Sequence, residues 1–232
     1  MQKHKTYRGI VTVAAIKGGV GKTTIIHNLI IEYSKHQRVS VIDLDKNKSL
    51  STGLAVRYQI MPERFKNINI INVDSPHELV EAMQQNEKEE GLLFIDQGGF
   101  DLEINRIATA GSDILLTAMN DSFYELSGFK RFAKILDEIN QEFRVQHNQE
   151  LFGSVVFCGI HPLARESSLK QLRDFVESEK NFTTMKTPIR TFDAFAKSPG
   201  TGESVIEYEP NSSAAENLDC FKKELDEVLS EK

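Results

Sequence analysis

The stretch that most constrains this 232-residue chain is Lys17-Gly18-Gly19-Val20-Gly21-Lys22-Thr23-Thr24. An almost wholly apolar run, Ile10–Ile16, precedes it. After it, Ile25, Ile26, Leu29, Ile30 and Tyr33 recur at helical spacing. A glycine-rich turn between a buried strand and an amphipathic helix offers a ring of backbone N–H groups that no side chain blocks. The helix adds its free amides and the positive end of its dipole. Lys22 is placed to neutralise the β and γ oxygens of a polyphosphate, and the Thr23 hydroxyl to coordinate Mg²⁺. At average residue usage such a run arises by chance on the order of once in 10⁵ chains of this length. The strict phosphate-loop pattern fails in one place: Ile16 stands where its first glycine belongs, and a second lysine, Lys17, opens the loop.

Apolar runs and amphipathic stretches alternate along the rest of the chain, the pattern of repeated βαβ units. Strands are expected at Ile10–Ile16, Val39–Leu44, Ile68–Val73, Leu92–Ile95, Asp113–Thr117, Val155–Ile160 and Phe182–Met185. Helices are expected after the phosphate loop, after Ser75-Pro76-His77-Glu78, over Phe123–Phe143 and Ser167–Glu179, and from a cap at Ser213 to the carboxyl terminus. Ser198–Gly202 reads as a surface loop. With 40% hydrophobic and 27% charged residues and no internal repeat, residues 1–232 read as one α/β domain, a phosphate-loop fold with a mostly parallel sheet flanked by helices on both faces.

Two further segments carry carboxylates. Asp43 and Asp45 end the second strand, where strand carboxyl ends line the ligand crevice of open α/β sheets. At i and i+2 on a strand they would project the same way. Leu92-Leu93-Phe94-Ile95-Asp96 has the shape of a Walker B strand, four apolar residues and then a carboxylate that holds Mg²⁺ through water.

The run KGGVGKTT resembles the deviant Walker A motif of the ParA/MinD family of ATPases, whose members form ATP-sandwich dimers. The resemblance extends over about Ile10–Leu229 through the D-x-D segment, the Asp96 strand, Ala110–Leu116 and the closing Gly202-Glu203-Ser204-Val205. It implies ATP with Mg²⁺ bound by Lys17, Gly18, Gly19, Val20, Gly21, Lys22, Thr23 and Thr24, and a metal set of Thr23, Asp43 and Asp96. It also implies catalytic roles for Lys17 (reaching the partner's nucleotide), Lys22 and Asp45 (orienting the attacking water). The chain departs from the family in Lys46-Asn47 after the D-x-D segment and in Gln97-Gly98-Gly99 after Asp96, a more flexible switch segment. It departs again at Cys158-Gly159, where an adenine-reading asparagine is common. Adenine is then read by backbone groups near Pro188–Arg190, or base selectivity is loose. The small, non-repressor type of partition ATPase is the nearest pattern.

The net charge of −6 excludes a globally basic nucleic-acid binder. Locally, Arg165–Lys197 carries net +2, and the resemblance suggests non-specific DNA binding through Lys170, Arg173, Lys186, Arg190 and Lys197, with a ParB-like activating partner. The closing helix is too acidic for an anionic membrane, and no segment has the length of a transmembrane span or signal peptide. A cytoplasmic protein is expected. Cys158 and Cys220 read as buried or semi-buried thiols, His27 as a helix-surface residue, His161 as a loop residue, and the fourteen phenylalanines as packing. A positioning ATPase without DNA binding and a dethiobiotin-synthetase-like enzyme are the alternative readings.

Overall fold

Strands buried on both faces read as continuous apolar runs, and such runs form the centre of the sheet in the computed structural model of this protein, which describes residues 5–15, 17–98, 102–147 and 150–231. The strands are β1 (Gly9–Ala15), β2 (Val39–Asp43), β3 (Ile68–Ile70), β4 (Leu92–Asp96), β5 (Ile114–Met119), β6 (Gly153–Ile160), β7 (Phe182–Thr184) and β8 (Ile189–Arg190). The helices are α1 (Lys22–Ser34), α2 (Ser49–Ile60), α3 (Pro76–Lys88), α4 (Glu103–Ala110), α5 (Phe123–His147), α6 (Glu166–Glu177), α7 (Asp193–Lys197), α8 (Val205–Tyr208) and α9 (Ser213–Ser230). The order across the sheet is β3-β2-β4-β1-β5-β6-β7, with β8 pairing β6. Every pairing among the described residues is parallel.

Successive side chains on each strand point to opposite faces, so the sheet separates its cores. Val11 and Val13 of β1 join Ile25, Leu29, Leu50, Leu54, Val205, Leu218 and Phe221 on the face covered by α1, α2, α8 and α9. Ala14 faces the other way with Leu115, Phe129, Leu136 and Leu169, beneath α5 and α6. Ile10, Ile42 and Ile95 meet Leu79 and Ala108 beneath α3 and α4.

Several expectations shift. β3 stops at Ile70, and β2 stops at Asp43, so Asp45 lies in the following loop. The cap of α9 is Ser212, whose side chain accepts from the Ala215 N–H. Residues Ser198–Thr201 form a 3-10 turn packed on α2, with Ser198 wholly buried. Cys158 is buried as expected, whereas Cys220 is exposed on α9. Residues 16 and 99–101 lie outside the described segments.

Candidate functional site

β1 is central, so the loop that leaves it opens at the middle of the sheet's carboxyl edge. Gly19 and Gly21 have φ of 82° and 98°, a left-handed backbone that glycine adopts without strain. Gly21 caps α1, which begins at Lys22. Val20 turns into the core, and Lys17, Gly18 and Gly19 stay exposed. A Cβ on Gly18 or Gly19 would meet no atom within 4 Å, so the loop's outer side is open space.

β1 and β4 run side by side, with Val13 in register with Asp96. Asp96 therefore ends beside the start of α1. Its Oδ1 accepts from the Lys22 ammonium, and its Oδ2 accepts from the Thr23 hydroxyl at 3.1 Å. Asp96 is fully buried. Burial pushes its carboxyl up to about 6; the attraction of Lys22 and the Thr23 hydrogen bond oppose that rise, and the Asp43 charge adds to it. Lys22 and Asp96 thus compensate each other, without which either buried charge would be costly.

Asp43, expected among the metal residues, has both oxygens occupied by its own chain. Oδ1 accepts from the Asp45 N–H, and Oδ2 from the Ser51 N–H and hydroxyl, each at 3.0 Å. Lys48 donates to its carbonyl. These bonds make Asp43 the tether that holds the Asp45 loop and the first turn of α2 to the sheet. The D-x-D pair does not project as a strand pair because β2 ends between its members. Asp45 alone lines the cleft. Its loop lies against Gly98, where a Cβ would stand 2.8 Å from Asp45 Cα and 2.8 Å from the Leu44 carbonyl oxygen. Gly98, read from sequence as a flexible position, is a site of close backbone contact.

The cleft holds about 460 Å³. The phosphate loop and α1 line it with Lys17, Gly18, Gly19, Gly21, Lys22, Thr23, Thr24 and His27, joined by Asp45, Asn47, Ser49, Gly53 and Pro199. Its size is that of a small-molecule site. The glycine cradle, the Lys22 ammonium and the adjoining Thr23 and Asp96 oxygens fit a polyphosphate with a divalent cation.

Other expected residues lie elsewhere. Pro188 and Arg190 do not line the cleft. Asn217 of α9 donates to the Pro188 carbonyl and accepts from the Arg190 N–H, both at 2.8 Å, which engages the Arg190 N–H within the fold. The Arg190 guanidinium donates to the His161 and Pro162 carbonyls. That of Arg173 donates to the Met185 and Lys186 carbonyls and the Thr184 hydroxyl. Of the five expected DNA-facing cations, these two brace the fold. Lys197 pairs with Asp193 at 3.2 Å, while Lys170 and Lys186 are exposed.

Three residues carry more than their sequence signal suggested. His27, expected on a helix surface, is 2% exposed, and burial drives its pKa down to about 4. Gln97 donates to the Asn105 carbonyl and the Thr109 hydroxyl, tying the end of β4 to α4. Glu125 is 1% exposed on α5, with neither carboxylate oxygen hydrogen-bonded among the described residues; burial raises its pKa and the Lys17 charge opposes this. None belongs to a spacing pattern that a single sequence reveals.

The family described as the CobQ/CobB/MinD/ParA nucleotide binding domain matches residues 11–205. No curated protein matches in sequence. Among solved structures, the fold is similar to apo McdA of Cyanothece, with a TM-score of 0.72 at 15% identity over 94% of this chain and 100% of that one. MinD of Pyrococcus horikoshii complexed with Mg-ADP gives 0.69 at 17% over 95% and 97%. A plasmid partition protein of Borrelia burgdorferi bound to AMPPNP gives 0.64 at 17% over 97% and 100%. At these identities the likeness is one of fold.

Proposed function

This chain belongs to the CobQ/CobB/MinD/ParA nucleotide-binding family, and from that premise we propose that it is a ParA-like ATPase, a switch that dimerises on ATP and hydrolyses it slowly to move or position DNA. The observation that carries this reading is the buried Lys22–Asp96–Thr23 cluster at the mouth of the glycine loop, in one cleft with Asp45. The ATP analogue and Mg-ADP carried by two fold neighbours support the choice of ligand.

The chemistry is in-line attack of water on the γ-phosphate. The loop amides and Lys22 hold the β and γ oxygens, with charge stabilisation aimed where it develops. Thr23 and Asp96 would hold Mg²⁺, which would supply further neutralisation of those oxygens. Asp45, on its tethered loop, positions the water. Lys17, exposed at the head of the loop, reaches the nucleotide of the second chain, which makes turnover depend on dimerisation. A ParB-like activator is the partner that fits such slow turnover.

Sizing the protein by light scattering with Mg-ADP and Mg-ATP, with and without non-specific duplex DNA, tests this. ATP-specific dimers that retain DNA are expected; monomers under all conditions would overturn the switch reading. The tethered guanidiniums of Arg173 and Arg190 favour one alternative, a positioning ATPase whose cargo is protein. ATP-specific dimers indifferent to DNA would select it.

A further inference from the structure

A second concavity opens at the amino edge of the sheet, at the end of α2 remote from the nucleotide cleft. It holds about 520 Å³ between the last turns of α1 and α2 and the segment that leads into β3. Its ionisable lining is Lys35, Arg57, Arg64 and Lys66 against Glu63 and Glu207. That is a local excess of positive charge in a chain whose net charge is −6.

Glu207 already shows what these cations hold. Its carboxylate accepts from the Arg57 guanidinium at 2.7 and 3.2 Å, and Lys35 and Arg64 each stand 3.7 Å away. Burial would raise the Glu207 carboxyl, but the Arg57 hydrogen bond and the charges of Lys35 and Arg57 outweigh burial and hold it below its usual value. Arg57 is spent on this bond and on the Gly202 carbonyl, and Lys35 pairs with Glu32 at 2.6 Å. Two cations remain. The Arg64 guanidinium lies beyond hydrogen-bond distance of both Glu207 and Glu63, the latter at 4.0 Å. Lys66 is exposed and makes no ion pair among the described residues.

Beside these two cations the surface turns aromatic. Tyr58, next to Arg57, is 60% exposed. Its ring meets that of Phe65, which stands between Arg64 and Lys66, edge-on at 5.4 Å. Exposed aromatics beside arginine are the composition of a protein interface, where such residues supply most of the binding energy. A polynucleotide fits poorly, since Glu63 and Glu207 in the wall repel a continuous row of phosphates. A peptide sets single carboxylates and apolar side chains at separate points.

We propose that this concavity docks a short acidic segment of a partner protein, its carboxylates on Arg64 and Lys66 and an apolar side chain against the Tyr58–Phe65 pair. The length of α2, about 18 Å, separates this surface from the nucleotide cleft, so partner and nucleotide occupy different sites at once. The docking surface does not depend on the switch reading given above.

Fluorescence anisotropy on the full-length chain, with a labelled peptide repeating Asp-Glu-Phe as the probe, tests this. Saturable binding that weakens with salt is expected, and a Lys-Arg-Phe repeat should not bind. Arg64→Glu/Lys66→Glu should weaken the acidic peptide at least about tenfold, and Tyr58→Ala about fivefold. Lys134→Glu, which changes an exposed cation on α5, should leave the affinity as it is. All these side chains are exposed, so each variant should melt cooperatively as the wild type does. Absence of saturable binding, wild-type affinity in Arg64→Glu/Lys66→Glu, or an equal loss in Lys134→Glu would overturn the docking surface. Displacement of the peptide by duplex DNA or inorganic phosphate at matching concentration would overturn it too, because the patch would then be a general anion site.

Discussion

A Cβ on Gly98 would stand 2.8 Å from the Cα of Asp45, so the loop after β4 and the loop after β2 are in backbone contact. Gly98→Ala forces them apart, at the roughly 1–3 kcal/mol that overpacking costs. The variant is expected to melt lower and lose most hydrolysis while keeping Mg-ADP, because Gly98 is not among the residues that line the cleft. Melting curves and a binding isotherm on the same preparation check this.

Lys22→Ala removes both the proposed phosphate ligand and the counter-charge of a fully buried Asp96. Tight nucleotide binding should vanish. Breaking one side of a buried pair typically costs about 3–5 kcal/mol, so stability should fall as well. Lys22→Ala/Asp96→Asn should recover the stability without recovering binding, read by thermal denaturation and calorimetry.

Lys17 and Asp45 should separate binding from turnover. Lys17→Ala is expected to bind nucleotide as a monomer and not hydrolyse it, as the role proposed for the exposed lysine in the second chain's site requires. Asp45→Ala should accumulate as an ATP dimer. Phosphate release and light scattering on each variant distinguish these states, and wild-type turnover in Lys17→Ala would sink the trans role.

Two buried groups give opposing pH dependences. Asp96 titrates near 6 in the fold against a usual 3.8. The native state thus holds its proton more firmly, and stability falls as pH rises through that window. His27, near 4 against a usual 6.5, with Arg57 and Glu207 the charges acting on it, does the reverse: the unfolded chain binds the proton, and stability rises with pH. Each is worth about 3 kcal/mol at the usual exchange rate of pKa for free energy. Between pH 4 and 6 they largely cancel. His27→Leu should therefore gain most over wild type near pH 4, and its advantage should shrink as pH rises, in melting temperatures taken across that range.

The basic residues divide by partner. Arg173→Ala should lower the melting temperature, because its guanidinium holds the Met185 and Lys186 carbonyls. Lys170→Glu and Lys186→Glu should leave it unchanged. A loss of DNA retention confined to the lysine variants would locate any DNA contact on side chains free to make one.

What the sequence disclosed follows from how elements bury themselves. β1, β2, β4, β5 and β6 were legible because parallel strands covered on both faces leave unbroken apolar runs. The phosphate loop was legible because its glycines and lysines have few other uses in that order. By contrast, α2 escaped notice: its buried residues are only Leu50, Leu54 and Arg57, and its cap is Lys48 in a left-handed conformation. Arg57 is 1% exposed and bonds the Gly202 carbonyl and Glu207, a burial no propensity foretells. The Asp43 tether and the Asn217 clasp on Pro188 and Arg190 depend on segments far apart in the chain, whose meeting no local pattern encodes.

The position of β1 between β4 and β5 has a wider consequence. The acidic loops leave on one flank of the phosphate cradle, while Cys158 and the β8 segment occupy the opposite flank. The carboxylate side of the cleft and the side beneath Cys158 are thus built from different strands, and the phosphate loop is where they meet. The Cys158-Gly159 pair sits on that second flank directly beneath the phosphate loop, where a Cβ on Gly21 would stand 3.5 Å from Cys158 Cβ.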